Sequence, residues 1–367
     1  MIKKLGIPRE VKQDEGRIAL IPQHITQFTG LADIFVETQA GLGSGFADQD
    51  YEDAGAKIIY SAEELYEISE IICKVKEPQP QELEFLNSSH VLFGYLHLSS
   101  NLSLTKALLD KKLTGIATEM IMEGKEYPLL IPMSKIAGNL AVQKGMQFLE
   151  YSSQGKGVLL SSISEDKSSI VTVIGCGEVG RASIQKSIQI GASVIAIDVN
   201  EDTLKDLKNK YGENISTLVG GTEEAVNAIR SADLVIAAVL LPGRKPPVVV
   251  TEEDINAMEK GTVIIDVAID QGGCVEGVKP NTHSEPFEIR NGVIVSAIAN
   301  LPGAVPRTSS IELSTNLQKY VDNLLIENWF DKYKNNESLR PSLQIHNGLL
   351  LSEEVAESLS LTLSKLV

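Results

Sequence analysis

The feature that most constrains this chain is a glycine pattern in a particular setting. The apolar run Ile170-Val-Thr-Val-Ile174 leads straight into Gly175-Cys-Gly177-Glu-Val-Gly180, and a helix-like stretch, residues 181–188, follows. Gly175 permits a tight turn, Gly177 lets backbone approach a diphosphate, and Gly180 lets the helix pack close on its strand. The helix N-terminus then offers N–H donors to an anion. A GxGxxG pattern by itself is a weak signal. Here the next apolar run, Ser193-Val-Ile-Ala-Ile-Asp198, ends in a carboxylate 18 residues after Gly180 (198 − 180 = 18), where a ribose-binding acid belongs. The unit predicts a dinucleotide fold. Asp198 favours NAD over NADP, because a carboxylate accepts from a ribose 2′-OH and repels a 2′-phosphate, and Val199, Asn200 and Glu201 supply no cation.

The same rhythm extends in both directions. Residues 4–7, 34–37, 57–60, 71–75, 91–96 and 115–117 read as strands separated by helical periodicity, which predicts a first α/β domain with a largely parallel sheet. Ser61-Ala-Glu-Glu64 marks a helix start as a capping box. A helix is expected over residues 134–153, then a polar surface loop over 161–169. Beyond it, residues 170–174, 193–198, 233–240, 262–269 and 293–298 read as strands, mostly continuous Val/Ile/Ala/Leu runs suited to burial on both faces. The tail over 309–330 reads as an aliphatic helix. The fold class is therefore α/β in two domains, a doubly wound Rossmann-type NAD-binding domain and a second α/β domain.

Charge excludes several classes of partner. With 33 Lys and Arg against 49 Asp and Glu, the net charge is −16, which disfavours nucleic acid and anionic lipid. An anionic substrate then needs a local cationic pocket. The three cysteines, Cys73, Cys176 and Cys274, show neither disulfide nor zinc spacing, so no metal site is expected. No apolar run approaches the roughly 20 residues that span a bilayer. Lys3 and Lys4 lead to Pro8, Arg9 and Glu10 without the apolar core of a signal peptide, so a cytoplasmic protein is expected. A second glycine cluster, Gly41-Leu-Gly43-Ser-Gly45, lacks the lysine of a phosphate loop and reads as a structural turn.

Two further residues sit where open α/β sheets place their ligands, just past the ends of apolar runs. His97 follows the run 91–96, and Asp270 follows 262–269, just before Gln271-Gly-Gly. Imidazole ordinarily titrates near neutrality and suits proton exchange, although a lone histidine there is more often structural. Asp266, inside its apolar run, reads as a satisfied structural acid.

Several ordered segments then carry a resemblance: GIPREVKQDEGRIAL (6–20), KVKEPQP (74–80), YLHLS (95–99), PMSKIAG (132–138), the glycine loop, VLLPGRKPP (239–247), DVAIDQGGC (266–274) and ANLPGAVPRTSS (299–310). Together they resemble the alanine dehydrogenase and pyridine nucleotide transhydrogenase family over essentially the full length, with the closer match on the dehydrogenase side. The resemblance implies reversible oxidative deamination of L-alanine to pyruvate and ammonia, with NAD. It implies that Arg17 holds the substrate carboxylate, that Lys76 contacts the substrate near its carboxylate and carbonyl, and that His97 and Asp270 are the catalytic groups. Ser134, Val239, Leu240, Val267, Asp270, Asn300 and Leu301 carry over as residues around the nicotinamide and its ribose. The implied domains are residues 1–129 with 308–367 for substrate, and 130–307 for NAD, with the active site in the cleft between them. A homo-oligomer, a hexamer, is also implied.

Departures from the family pattern are local. Leu301 replaces a common methionine, Gly220-Gly221 stands where small hydroxyl residues serve the adenosine side, and Lys135 and Asn139 stand where an acid and an arginine are usual. Glu178 inside the phosphate loop must point away from a diphosphate. Two other readings stay open: a relative acting on a different amino or oxo acid, such as an opine-type reductase, and an NAD-binding transhydrogenase component without amino-acid turnover. The set Arg17, Lys76, His97 and Asp270 argues against the second, since a cofactor carrier needs no amino-acid site.

Overall fold

The computed structural model describes residues 3–161, 163, 169–240 and 246–366. Parts of the expected polar loop 161–169 and of the 239–247 motif therefore lie outside the described residues. The chain divides into two compact units, Met1–Met133 with Val305–Val367, and Ser134–Ala304.

In the first unit, β1 (Lys3–Ile7), β2 (Ala32–Glu37), β3 (Lys57–Ile59), β4 (Ile71–Cys73), β5 (Val91–Gly94) and β6 (Thr114–Ala117) form a parallel sheet in the order β3-β2-β1-β4-β5-β6. In the second, β7 (Ile170–Ile174), β8 (Ser193–Asp198), β9 (Ile215–Val219), β10 (Leu234–Ala237), β11 (Val263–Asp266), β12 (Glu288–Arg290) and β13 (Val293–Ser296) form a sheet in the order β12-β13-β11-β10-β7-β8-β9, parallel except for the edge strand β12. Strands β4, β5, β10, β11 and β13 are buried throughout, as strands covered on both faces require. The chain then returns to the first sheet, where β14 (Leu343–His346) pairs antiparallel with β6, and β15 (Leu349–Leu350) with β14.

Leaving aside β12, β14 and β15, the strand order is the same in both units, a doubly wound order that reverses next to its first strand. The chain leaves the two strands flanking that reversal in opposite directions, opening a crevice at their C-terminal ends where ligands bind. In the first unit the crevice lies between β1 and β4, in the second between β7 and β10.

Several boundaries differ from the sequence expectation. The helix expected over 134–153 runs Leu130–Phe148, and residues 151–153 form a separate short turn. Pro132 lies in its first turn, where a missing N–H costs nothing, so the helix starts before the proline. The tail helix is Pro306–Leu325; it stops at the extended Ile326, and a new helix runs Trp329–Asn335. Ser61 does cap the helix Ala62–Ile68, its hydroxyl accepting from the Glu64 N–H at 3.4 Å.

Candidate active site

The segments leaving β1, β4 and β5 carry the cationic and titratable residues singled out in the first unit. After β1 the chain turns through Pro8 to Leu20, and Arg17 is buried there. Its Nε donates to Glu15 Oε1 at 2.7 Å and its Nη2 to Glu15 Oε2 at 2.5 Å, while Nη1 donates to Met133 Sδ at 3.3 Å. Burial works against the guanidinium charge, but its two bonds to Glu15 outweigh it and hold the Arg17 pKa above its ordinary value. The Arg17 loop is braced from the tail helix: Ser310 Oγ accepts from Ile18 N at 2.9 Å and Ser314 Oγ from Ile21 N at 3.0 Å. Gly43 abuts the same loop, where an added Cβ would lie 2.7 Å from Gly16 O. The 41–45 cluster is thus a buttress.

After β4 come Lys74 and Lys76, both buried. Lys74 points into the core, where Nζ meets Glu82 Oε1 at 2.6 Å and Glu10 Oε2 at 3.3 Å. The Tyr66 hydroxyl also donates to Glu82, at 2.9 Å. Glu10 accepts from Val75 N at 2.6 Å and Lys76 N at 3.4 Å, so its carboxylate holds the backbone that presents Lys76. Burial pushes Glu10 up to about 7 against the opposing charge of Lys74. Lys12 pairs with Glu77 at 2.6 Å on the same segment.

After β5, His97 adopts a left-handed backbone (φ 46°, ψ 42°), uncommon for a residue with a Cβ and frequent at functional sites. The buried Glu119 holds it there, accepting from His97 N at 2.7 Å and Leu96 N at 3.2 Å. His97 Nδ1 lies 3.8 Å from the same carboxylate, and the Tyr95 ring stacks parallel to the imidazole at 6.1 Å. The imidazole is about half exposed (46%), so it faces solvent or a ligand rather than the core.

The second unit carries the dinucleotide features. Gly175 has φ +89°, and an added Cβ would lie 2.8 Å from Ala238 O, so only glycine fits the turn. At Gly180 a Cβ would stand 1.9 Å from Gly175 O. Above Gly177 an added Cβ meets nothing within 4 Å, which leaves open the cradle a diphosphate needs beside the N-terminus of the helix Glu178–Gln189. Glu178 is exposed at its first position. Asp198, closing β8, accepts from Cys176 N at 2.7 Å and Asn200 N at 2.9 Å, so the acid also braces the glycine loop. These residues fit a dinucleotide.

The other sites carried over by resemblance cluster at the same edge of the sheet. Val239 and the half-exposed Leu240 follow β10, and Val267 follows β11. Asp270 is exposed on a short turn after β11, its Oδ1 accepting from Asn300 N at 3.3 Å. Asn300, with φ 57°, and the buried Leu301 follow β13. Ser134 is in the first turns of the helix Leu130–Phe148. Asp266 is fully buried and accepts from three backbone N–H groups, at Ala268, Cys274 and Val275. Among the described residues no cluster of His, Cys, Asp and Glu is arranged to hold a metal ion. Sequence reasoning did not single out Glu10, Glu15 or Glu119 as parts of the site; the first two stood inside the 6–20 motif, and nothing local distinguished Glu119 from a surface acid.

The family models split the chain near the start of the second unit, and the C-terminal one runs on into the tail that belongs to the first unit. The family model described as "Alanine dehydrogenase/PNT, N-terminal domain" matches residues 6–137, and "Alanine dehydrogenase/PNT, C-terminal domain" matches residues 141–353. The chain is 43% identical to an alanine dehydrogenase of Bacillus subtilis (strain 168), covering 97% of this chain and 94% of that one. It is 39% identical to an alanine dehydrogenase of Methanococcus maripaludis, over 96% of each chain. A solved structure of an L-alanine dehydrogenase superposes with a TM-score of 0.92 at 37% identity, covering 97% of this chain and 99% of that one.

Proposed function

The chain belongs to the alanine dehydrogenase/pyridine nucleotide transhydrogenase family, and from that premise we propose that it is an NAD-dependent L-alanine dehydrogenase, interconverting L-alanine with pyruvate and ammonia. The observation that carries the reading is the placement of Arg17, Lys76 and His97 on the three segments leaving β1, β4 and β5, beside one sheet's reversal, in a chain whose other sheet carries a dinucleotide cradle at its own reversal. A cofactor carrier has no use for the first set. The first unit accordingly corresponds to the substrate domain expected over residues 1–129 and 308–367, and the second to the NAD domain expected over 130–307, with the unit boundaries themselves at Met133/Ser134 and Ala304/Val305.

Gly175, Gly177, Gly180 and Asp198 would hold the diphosphate and ribose, and Ser134, Val239, Leu240, Val267, Asn300 and Leu301 would line the nicotinamide side. When bound, NAD supplies a hydride acceptor for the substrate Cα–H. Arg17 fixes the substrate carboxylate: a thioether is a weak acceptor, so a carboxylate displaces Met133 from Nη1 readily. Lys76 places a second positive charge beside the carboxylate and the carbonyl oxygen. Loss of hydride leaves an iminium on the substrate. His97 takes a proton from water as it adds to that carbon, with Asp270 orienting the water; the imidazolium returns that proton to nitrogen, and the imidazole then takes the carbinolamine hydroxyl proton as the C–N bond breaks to give pyruvate and ammonia. In reverse the same groups support reductive amination. The enzyme works in the cytoplasm as a homo-oligomer, a hexamer, which rests on the family resemblance; among the described residues no helix is long and apolar enough to cross a membrane.

The test is absorbance at 340 nm with the purified protein, supplying NAD with L-alanine, or NADH with pyruvate and ammonium, and lysine, 2-oxoglutarate and glyoxylate as comparison substrates. Turnover with alanine that is lost in His97→Ala and Asp270→Ala is the expected result. NADH binding without alanine turnover would sink the reading.

A further inference from the structure

We propose that Asp266 is a positioning residue for the reaction, acting through Asp270 by fastening the two ends of the loop that carries it; this rests on the catalytic reading of Asp270 above. Asp266 is the last residue of β11 and is fully buried. Its Oδ1 accepts from Ala268 N at 2.9 Å, on the outgoing arm of the loop. Its Oδ2 accepts from Cys274 N at 2.7 Å and Val275 N at 2.9 Å, on the returning arm. The Cys274 thiol adds a longer contact to Oδ1 at 3.6 Å, and burial beside the carboxylate pushes that thiol up, keeping it protonated as a donor.

The geometry inside the fastened loop leaves little freedom. Ala268 O accepts from Gln271 N at 2.9 Å and Gly273 N at 3.1 Å, and Ile269 O from Gly272 N at 2.9 Å. Gly272 (φ 102°) and Gly273 (φ 73°) reverse the chain. A Cβ at Gly273 would stand 2.9 Å from Asp266 Oδ2, so the carboxylate and the returning backbone are in close contact. Asp270 is the titratable side chain on this turn, and it is exposed while the acid beneath it is sealed.

The chemistry at 266 requires a carboxylate. Three N–H donors converge on two oxygens, which only a group that accepts at both atoms satisfies. An amide would turn its NH2 toward at least one of those donors, leaving a buried N–H unpaired and that arm of the loop free to shift. A displacement of about 1 Å at a catalytic group costs on the order of a hundredfold in rate.

The experiment compares Asp266→Asn, Asp270→Asn and the double variant, measuring kcat, KM for alanine, NADH affinity by fluorescence, and melting temperature. Expected for Asp266→Asn is a fall in kcat of about tenfold or more, with KM and NADH affinity within about threefold. In the Asp270→Asn background the same change should alter kcat by less than about twofold, since a residue acting through another has nothing left to position. Unchanged kcat in Asp266→Asn, or losses that multiply in the double variant, overturns the inference while leaving Asp270 its role. Unchanged kcat in Asp270→Asn overturns the reading of Asp270 and the inference with it. Should Asp266→Asn fail to fold, Asp266→Glu keeps the charge and both accepting oxygens but moves them by a methylene, and the inference requires the same kcat loss and the same non-additivity of it.

Discussion

Glu15 grips Arg17 at two points, Oε1 to Nε and Oε2 to Nη2, with the side chains of both residues almost wholly buried. The pair fixes the guanidinium plane before substrate arrives, which turns a flexible side chain into a fixed fork. Arg17→Lys keeps the charge and loses the fork. Its KM for alanine and for pyruvate should rise about tenfold or more, with kcat changed less. A fall in kcat at unchanged KM would remove Arg17 from carboxylate binding. Glu15→Gln leaves a buried cation without its counter-charge and should cost about 3–5 kcal/mol in denaturant unfolding.

Glu10 makes stability depend on pH. Its folded pKa, about 7, stands above the ordinary 4.5 because burial opposes its charge more than Lys74 favours it. Between those values the native state keeps a proton the unfolded chain has lost. The contribution is therefore full below pH 4.5, declines as pH rises through 7, and is gone above it. A rise from 4.5 to about 7 corresponds to about 3 kcal/mol. Relative to the natural protein, Glu10→Gln should thus be more favourable at pH 8 than at pH 5 by about that amount in urea unfolding. A pH-independent difference would mean Glu10 is ionised throughout.

In the proposed mechanism, His97 sets activity against stability at one position. With φ 46°, any residue bearing a Cβ is strained there and glycine is not. His97→Gly should be about 1 kcal/mol more stable than His97→Ala in thermal unfolding. Both should lose about a hundredfold or more in kcat for alanine. Equal stabilities would mean that the backbone bonds accepted by Glu119, rather than the side chain at 97, decide this turn.

Asp198 serves both the ribose reading and the glycine loop, through its bond from Cys176 N. Asp198→Ser should lower kcat/KM for NAD by roughly tenfold to a hundredfold, the scale of a charged hydrogen bond, and raise the NADP-to-NAD ratio. A fall for both cofactors at an unchanged ratio would make Asp198 a brace for the loop alone.

Periodicity revealed the strands buried on both faces: β7 and β8 have the expected ends to the residue. It missed β9, an edge strand whose half-exposed Ile-Ser-Thr-Leu-Val gives no sustained apolar run, and β14, which places the buried polar Gln344 in its middle. The glycine turn was legible because its spacing is a local requirement of backbone geometry. Glu10, Glu15 and Glu119 were not, because what distinguishes them is burial against N–H groups or an arginine. Glu119 reaches the 96–97 backbone across 22 residues of sequence and Glu10 reaches residue 75 across 65. A lone glutamate in a polar stretch carries no mark of such a partner.

The return of the chain to its first sheet has a consequence for assembly during synthesis. Every strand of the second unit lies within residues 170–296, so its sheet can form as soon as that stretch has emerged. The first sheet cannot be completed then: until residues 343–346 emerge, β6 presents an unpaired edge of N–H and C=O groups. The ends of that pairing are separated by more than 200 residues, so the step is slow and topologically late. A nascent chain stalled between the two events would carry a finished nucleotide-binding sheet beside an open one. Over that interval the open edge is a site where another strand could pair.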